Sequence, residues 1–183
     1  RQFGIDMHVV TADASAARNL MLAIERCHLD VEAMVTSPYV AGLSALADDE
    51  ADLGAAVIDM GAGTTTMAVF SSGRFVHADG FGLGGRHVTM DLARGLNARV
   101  ADAERIKTLY GSVLTGASDE RDMIAVPPVD DDEREAPHFV SRAKLARIIK
   151  PRVEEILEMV RDRLATSSFA AAPRGRVGQS GGA

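Results

Sequence analysis

With 183 residues, 46% of them apolar, the chain is long enough for one ordinary domain or two small lobes around a real core. A net charge of -6 and a pI near 5.3 speak against a nucleic-acid surface, which needs clustered Lys and Arg to displace counterions from phosphates. The single cysteine, Cys27, leaves no internal disulfide to form and fits a reducing cytoplasm.

Cys27 reads as a small buried thiol on a helix, and its neighbour His28 does not give it metal-ligand spacing. The five histidines are scattered and suggest neither a zinc site nor a catalytic triad. No run approaches the ~20 apolar residues that cross a bilayer, and no signal-peptide layout is visible. The chain opens on Arg1 in mid-pattern, which reads as a piece of a longer protein.

In chain order, Met7 to Thr11 is a short strand-like run, after which Asp13 or Ser15 caps a helix carrying Ala16, Leu20, Ala23, Ile24 and Cys27 at helical spacing. Val31 to Thr36 reads as a strand, and Pro38 suits the first turn of a helix running to about Leu46. The acidic cluster Asp48-Asp49-Glu50-Asp52 reads as a solvated loop and a lobe boundary. Gly54 to Met60, Met67 to Phe70 and Phe75 to Ala78 then form an antiparallel meander, joined by Gly61-Ala62-Gly63-Thr64 and by Ser71-Ser72-Gly73-Arg74. Gly82-Leu83-Gly84-Gly85 leads into a helix from about Val88 to Leu96. A second helix spans Asp102 to Tyr110, capped by Asp102 and stopped by Gly111. Asp122 to Val129 and Pro137 to Val140 look like strands around the acidic turn 130–135. Helical spacing from Leu145 to Leu164 is interrupted at Pro151, which kinks the helix or starts a new one.

The chemistry concentrates at Asp59-x-Gly61-x-Gly63-Thr64-Thr65. Glycines without Cβ let a ligand approach the backbone, successive amides in such a turn can converge on an anion, and two hydroxyls follow. The carboxylate of Asp59, at the strand end, suits hydrated Mg²⁺ or an oriented water. The same run also suits an ordinary β-hairpin with permissive glycines, and the segment alone does not separate the two. It is not a Walker A loop, since no Gly-Lys-Ser/Thr follows, and it opens no helix as a dinucleotide fingerprint would. Glu104 and Lys107 share a helix face, where they suit either nucleoside contacts or a surface ion pair. Gly181-Gly182 suits either a backbone platform for an adenosine or a flexible terminus.

The succession Asp59 to Thr65, Gly84-Gly85, Glu104 to Lys107 and Gly181-Gly182 resembles the actin superfamily, which includes MreB, sugar kinases and heat-shock chaperone ATPases. Within it, His8 to Thr11 with Asn19-Leu20 and Val31 to Val35, then Asp102-Ala103-Glu104-Arg105-Ile106-Lys107-x-x-Tyr110-Gly111 and Pro151 to Ile156, resemble the FtsA family along nearly the whole chain. The sequence departs from the family pattern at Thr66, where many relatives carry aspartate, at Gln179-Ser180 in place of Leu-Thr, and at Gly178 inside an expected apolar strand.

The resemblance implies an α/β, actin-like (ribonuclease H-like) fold with a mixed sheet flanked by helices, a smaller α+β subdomain, and an incomplete extent. Residues 1–52 would end the family's extra subdomain and first lobe, and 53–183 would form most of the second lobe. In that lobe, 53–99 is a phosphate-binding base, 100–150 a peripheral subdomain and 151–183 the return to the base. It further implies ATP with Mg²⁺ as cofactors. Gly61, Gly63, Thr64 and Thr65 would lie at the phosphates, with Asp59 positioning Mg²⁺ or water. Gly84 and Gly85, after the hairpin, would also bind the cofactor, Glu104 and Lys107 would contact the nucleoside, and Gly181 and Gly182 would back it. Implied partners are the C-terminal tail of FtsZ at about 100–145, other divisome proteins and further copies in actin-like filaments, but not nucleic acid. The implied place is the cytoplasmic face of the inner membrane at the division site, with membrane contact only through a C-terminal amphipathic helix outside this chain. Turnover would be at most a weak ATPase. An MreB-like filament protein, a type IV pilus assembly protein or a superfamily kinase are the alternatives.

Overall fold

The computed structural model describes residues 4, 7, 9–129 and 136–166, and the backbone of 176–180. Its elements in order are α1 (Ala14–Glu25), α2 (Ser37–Ala45), α3 (Asp48–Leu53), β1 (Ala55–Met60), β2 (Thr65–Ser71), β3 (Arg74–Phe81), α4 (Gly85–Leu96), α5 (Val100–Tyr110), β4 (Met123–Val126), β5 (His138–Ser141), α6 (Arg142–Thr166) and β6 (Arg176–Ser180).

The meander forms as the sequence predicts. β1 pairs antiparallel with β2 from Ala55↔Phe70 to Met60↔Thr65, and β2 pairs with β3 from Thr65↔Phe81 to Ser71↔Arg74. The β2–β3 turn is tight because Ser72 and Gly73 both hold positive φ, 52° and 69°, the geometry that matches strand twist in two-residue hairpins. β6 adds parallel to β1, giving the order β3-β2-β1-β6. Gly178 sits opposite Val57 in that ladder, so it does not interrupt the strand as its composition suggests.

Strand parity divides the sheet into two faces. Ile58, Met67 and Phe81 face α6, where Ile156 and Val160 complete a buried cluster. Phe70 lies on the other face beneath α2, stacked near Tyr39 and tilted against Phe75. A second core joins α4, α5, the β4–β5 hairpin and the first half of α6 through Leu92, Leu96, Ile106, Val126, Leu145 and Ile149. The 25-residue α6 therefore belongs to both cores and continues through Pro151. An interior proline costs about 3 kcal/mol; burial of Leu145 and Ile149 before it and Ile156 and Val160 after it holds the helix together. Arg152 pins α6 to α4 by donating from Nε to Asp91 at 2.7 Å.

Several expectations are corrected. The described residues of Met7 to Thr11, and Val31 to Thr36, form no strand: none of the described strands lies beside them, and an extended run without a ladder is not stable in water. The acidic cluster is helical, not a loop, because Asp48, Asp49 and Glu50 occupy the first turn of α3, where negative charge offsets the helix dipole. Glu50 also reaches back to accept from the Ala47 amide at 3.2 Å. Asp102 is not the cap of α5. That helix starts earlier with Arg99 as its cap residue, and Asp102 accepts from Arg99 Nε at 3.1 Å. Cys27 is exposed in the turn after α1, a helix that buries no residue among those described. The acidic turn 130–135 lies outside the described residues.

Gly42 is where α2 and the sheet come closest. A Cβ there would stand 2.1 Å from Phe70 Cε2, and Phe70 is held by Tyr39 and Phe75. Alanine gains roughly 0.5–1 kcal/mol in helix propensity, but overpacking costs about 1–3 kcal/mol. Gly42→Ala is expected to lose about 1–2 kcal/mol net, read as a lower midpoint in urea unfolding; an unchanged midpoint would mean α2 slides freely on the sheet.

Candidate functional site

The glycine turn closes on itself where the Gly61 amide donates to the Thr64 carbonyl at 2.9 Å. Ala62, Gly63 and Thr64 are exposed at its tip, and the amides of Ala62 and Gly63 make no hydrogen bond among the described residues. Asp59, one register step inside the sheet, is half-buried opposite Thr66. Thr66 Oγ1 is itself buried with no hydrogen-bond partner among the described residues.

Thr65 is fully buried, and its hydroxyl donates to the Leu83 carbonyl at 2.8 Å. That hydroxyl ties the hairpin to the connection before α4 and does not face the open side of the turn. The Gly61 amide is likewise engaged inside the turn. Of the turn residues predicted from sequence, only Gly63 and Thr64 present themselves outward.

Behind the turn lies α4. The amides of Gly85 and Arg86 donate to the carbonyls of Gly61 and Ala62 at 2.9 and 2.7 Å, and the Gly84 amide donates to His87 Nδ1 at 3.1 Å. These are donors that a helix N-terminus normally leaves open, and here the hairpin and His87 take them up. Gly84 is required by proximity: a Cβ would meet the Gly61 and Ala62 oxygens at 2.3 and 2.8 Å. At the other end of α4, Asn97 takes the left-handed conformation that ends the helix.

Glu104 and Lys107 project from α5 toward the same place. Lys107 Nζ lies 3.1 Å from Glu104 Oε1 and 3.4 Å from the Gly85 carbonyl. Thr89 Oγ1 lies 2.5 Å from Glu104 Oε2 and 3.2 Å from the Gly85 carbonyl. The Thr89 hydroxyl, helped by Lys107 and opposed by burial, holds the Glu104 carboxyl below the usual glutamate range. The peptide unit joining Gly85 and Arg86 thus touches both parts of the site: its N–H, on Arg86, reaches the Ala62 carbonyl of the glycine turn, and its C=O, on Gly85, reaches Lys107 and Thr89. Sequence reading missed Thr89; its signal was the four-residue spacing from Gly85, which puts both on one helix face. Gly181 and Gly182 lie outside the described residues.

A separate groove of about 490 Å³ runs between α5 and the β4–β5 hairpin, lined by Arg105, Leu109, Tyr110, Ala125, Pro127 and Pro137 among others. It opens away from Lys107, on the side of α5 that carries exposed Leu109 and Tyr110. No group of three or more His, Cys, Asp or Glu among the described residues is arranged to hold a metal ion. No described helix is long and apolar enough to cross a membrane.

Comparison with solved structures places this architecture among actin-like proteins. MreB5 of Spiroplasma citri, solved bound to ADP, superposes over 93% of this chain and 54% of its own with a TM-score of 0.74 at 21% identity. The PilM–PilN type IV pilus biogenesis complex matches 91% of this chain and 40% of its own chain, with a TM-score of 0.64 at 20% identity. At these identities the likeness defines the fold: an actin-like ATPase fold, mixed in helix and sheet and incomplete in this chain. Sequence comparison is more specific. The model of the family "Cell division protein FtsA" matches residues 56–181, and the cell division protein FtsA of Agrobacterium fabrum is 54% identical over 180 residues, 98% of this chain. The chain belongs to the FtsA family. It spans about 41% of the length of that relative.

The tight seat of Gly84 yields a prediction. Gly84→Ala should force α4 off the turn, because the obstructing atoms are backbone oxygens that cannot swing aside. Amide exchange at Gly85 and Arg86 is expected to accelerate by at least about tenfold, the equivalent of ~1.4 kcal/mol in local opening. Unchanged exchange there would show that the two hydrogen bonds do not hold the turn to the helix.

Proposed function

We propose that this chain forms part of an ATP-binding cell-division protein, in which the glycine turn holds phosphates and α5 holds the nucleoside. The observation carrying the reading is the peptide unit joining Gly85 and Arg86, which brings the turn and the Glu104–Lys107 pair within hydrogen-bond reach of one group. The turn fits an anion: the exposed tip offers the amides of Ala62 and Gly63 and the hydroxyl of Thr64, and glycine leaves the approach open. Asp59 suits Mg²⁺, which keeps several waters and uses one or two carboxylates together with substrate phosphates. Bound Mg²⁺-ATP supplies negative charge between lobes. The chain's own residues orient it, with Lys107 offsetting charge and Glu104 accepting from hydroxyls. Thr65 and Gly61 support the turn from within. Gly181 and Gly182 are kept as a proposed backing for the nucleoside.

In this reading nucleotide favours lobe closure and actin-like self-association, and turnover is at most slow. The protein helps assemble the divisome and link the FtsZ ring to the inner membrane from its cytoplasmic face. The groove beside α5 supports the FtsZ part of the proposal. It combines apolar Leu109, Tyr110 and Pro127 with Arg105, a combination that suits an acidic tail with apolar anchors, and the basic residues Arg142, Lys144 and Arg147 of α6 are proposed to attract the same tail.

Two experiments test these statements. Titrating the chain with Mg²⁺-ATP should shift the amides of Ala62 to Thr64, Gly84 to Arg86 and Glu104 to Lys107, with affinity weaker than micromolar. A single set of charge-assisted hydrogen bonds at ~1.5–3 kcal/mol each is all this lobe supplies. Shifts confined elsewhere, or micromolar affinity in calorimetry, would contradict the assignment. A peptide of the FtsZ C-terminal tail should bind saturably, and reversing charge at Arg142 and Lys144 together should weaken it by about tenfold, ~1.4 kcal/mol. An equal affinity in that double variant would remove these residues from docking, and no binding by the folded chain would favour the pilus-assembly or MreB-like reading.

A further inference from the structure

Thr89 is 1% exposed, one turn into α4, with its hydroxyl between two acceptors: the Gly85 carbonyl at 3.2 Å and Glu104 Oε2 at 2.5 Å. A hydroxyl has a single proton to donate. The carboxylate is both nearer and charged, so the proton goes to Glu104, where such a bond is stronger. The Gly85 carbonyl is then left to Lys107 Nζ, which also holds Glu104 Oε1 at 3.1 Å. Each carboxylate oxygen thus has one donor of the protein's own. A carboxylate has about four acceptor sites, so two remain, one on each oxygen. They face outward, because the Glu104 side chain is 49% exposed while Lys107 is 13% exposed.

Two parallel acceptor sites on a fixed plane match two adjacent hydroxyls, as a bidentate donor matches a carboxylate. We propose that Thr89 is a positioning residue which locks the Glu104 carboxylate to receive the 2′,3′-diol of a ribose, making this lobe select ribonucleotides over 2′-deoxyribonucleotides. The inference rests on the reading of Glu104 as a nucleoside contact and adds the residue that orients it and the preference that follows. Lys107 alone would not lock the plane, since it reaches Glu104 through a flexible four-carbon stem. Thr89 comes from a buried position on a different helix, and its β-branched side chain has few rotamers to lose.

The alternative, that Thr89 only packs α4 against α5, is separated by shape. Valine reproduces the volume without the proton, and serine keeps the proton without the methyl. In the first experiment the Glu104 carboxyl is titrated by carbon NMR in this chain without ligand. Thr89→Val should move its midpoint up toward the usual glutamate range, and Thr89→Ser should leave it low. An unmoved midpoint in Thr89→Val overturns the positioning role.

The second experiment follows amide shifts with Mg²⁺-ATP and Mg²⁺-2′-deoxy-ATP. One charge-assisted hydrogen bond predicts a ribose preference of about tenfold in the unaltered chain. Thr89→Val and Glu104→Gln should both reduce it to within about threefold, and Thr89→Ser should retain it. Loss in Glu104→Gln with retention in Thr89→Val overturns the inference and leaves the nucleoside contact standing. Retention in Glu104→Gln overturns the nucleoside contact itself, and the absence of any saturable nucleotide shift overturns the ribose assignment.

Discussion

The site depends on a pair of backbone hydrogen bonds, from Gly85 and Arg86 to the carbonyls of Gly61 and Ala62. Helix N-termini usually offer their first amides to a ligand or to a capping side chain. Here α4 commits two of them to a hairpin turn, so the turn and the helix behave as one body. The bonds are possible only because residue 84 has no Cβ to strike the Gly61 and Ala62 oxygens. Thr65 adds a third tie, from the other side, through its buried hydroxyl to Leu83. The tip from Ala62 to Thr64 is therefore exposed yet held at both ends. Such a turn can present amides without having to order them at the moment of binding.

The rest of the architecture keeps this body attached to α5. α4 and α5 share a core with the first half of α6 and the β4–β5 hairpin, and the second half of α6 packs on the strands that carry the turn. α6 thus spans both cores. A displacement of α4 relative to α6 would have to break the Arg152–Asp91 pair, whose arginine is held protonated by that carboxylate. The second anchor is at the far end, where Arg163 donates to Asp79 and lies over the Phe81 ring at 5.7 Å. Burial alone would raise the Asp79 carboxyl, but the Arg163 contact and the Gly80 amide outweigh it and hold it low.

What was legible in the sequence follows from how local each cause is. The meander could be read because alternation, glycine turn chemistry and strand length all act within a few residues. The helices α4 and α5 could be read from periodicity, and the order of the glycine turn, Gly84-Gly85 and Glu104 to Lys107 pointed to the family. A strand at 7–11 or 31–36 depends on a pairing partner distant in sequence, and apolar β-branched residues do not name that partner. The acidic cluster looked like a solvated loop because charge was weighed without position; three acids in a first turn favour a helix. Thr65 looked like a phosphate donor because hydroxyl and turn are adjacent in sequence, while strand parity turns that hydroxyl inward to Leu83. Thr89 was missed for the opposite reason. Its partner is fifteen residues away on another helix, and no local pattern records that contact.

The peptide unit joining Gly85 and Arg86 gives these observations a common consequence. Its two polar ends lie on opposite sides of one rigid planar group, the Arg86 N–H toward the Ala62 carbonyl and the Gly85 C=O toward Lys107. A ligand that draws Lys107 away from the carbonyl, or that shifts the turn carbonyls away from the amide, alters the partner on the other end. Hydrogen bonds in such a chain polarise one another, and in a partly buried setting the change is not fully screened by water. The turn and α5 are therefore coupled through a single planar unit rather than through a long relay of side chains. Gly85 is buried where α4 meets the turn, and Thr89 and Lys107 both approach its carbonyl oxygen. Residue 84 is glycine because a Cβ would strike the turn carbonyls, whereas residue 85 acts through its backbone carbonyl.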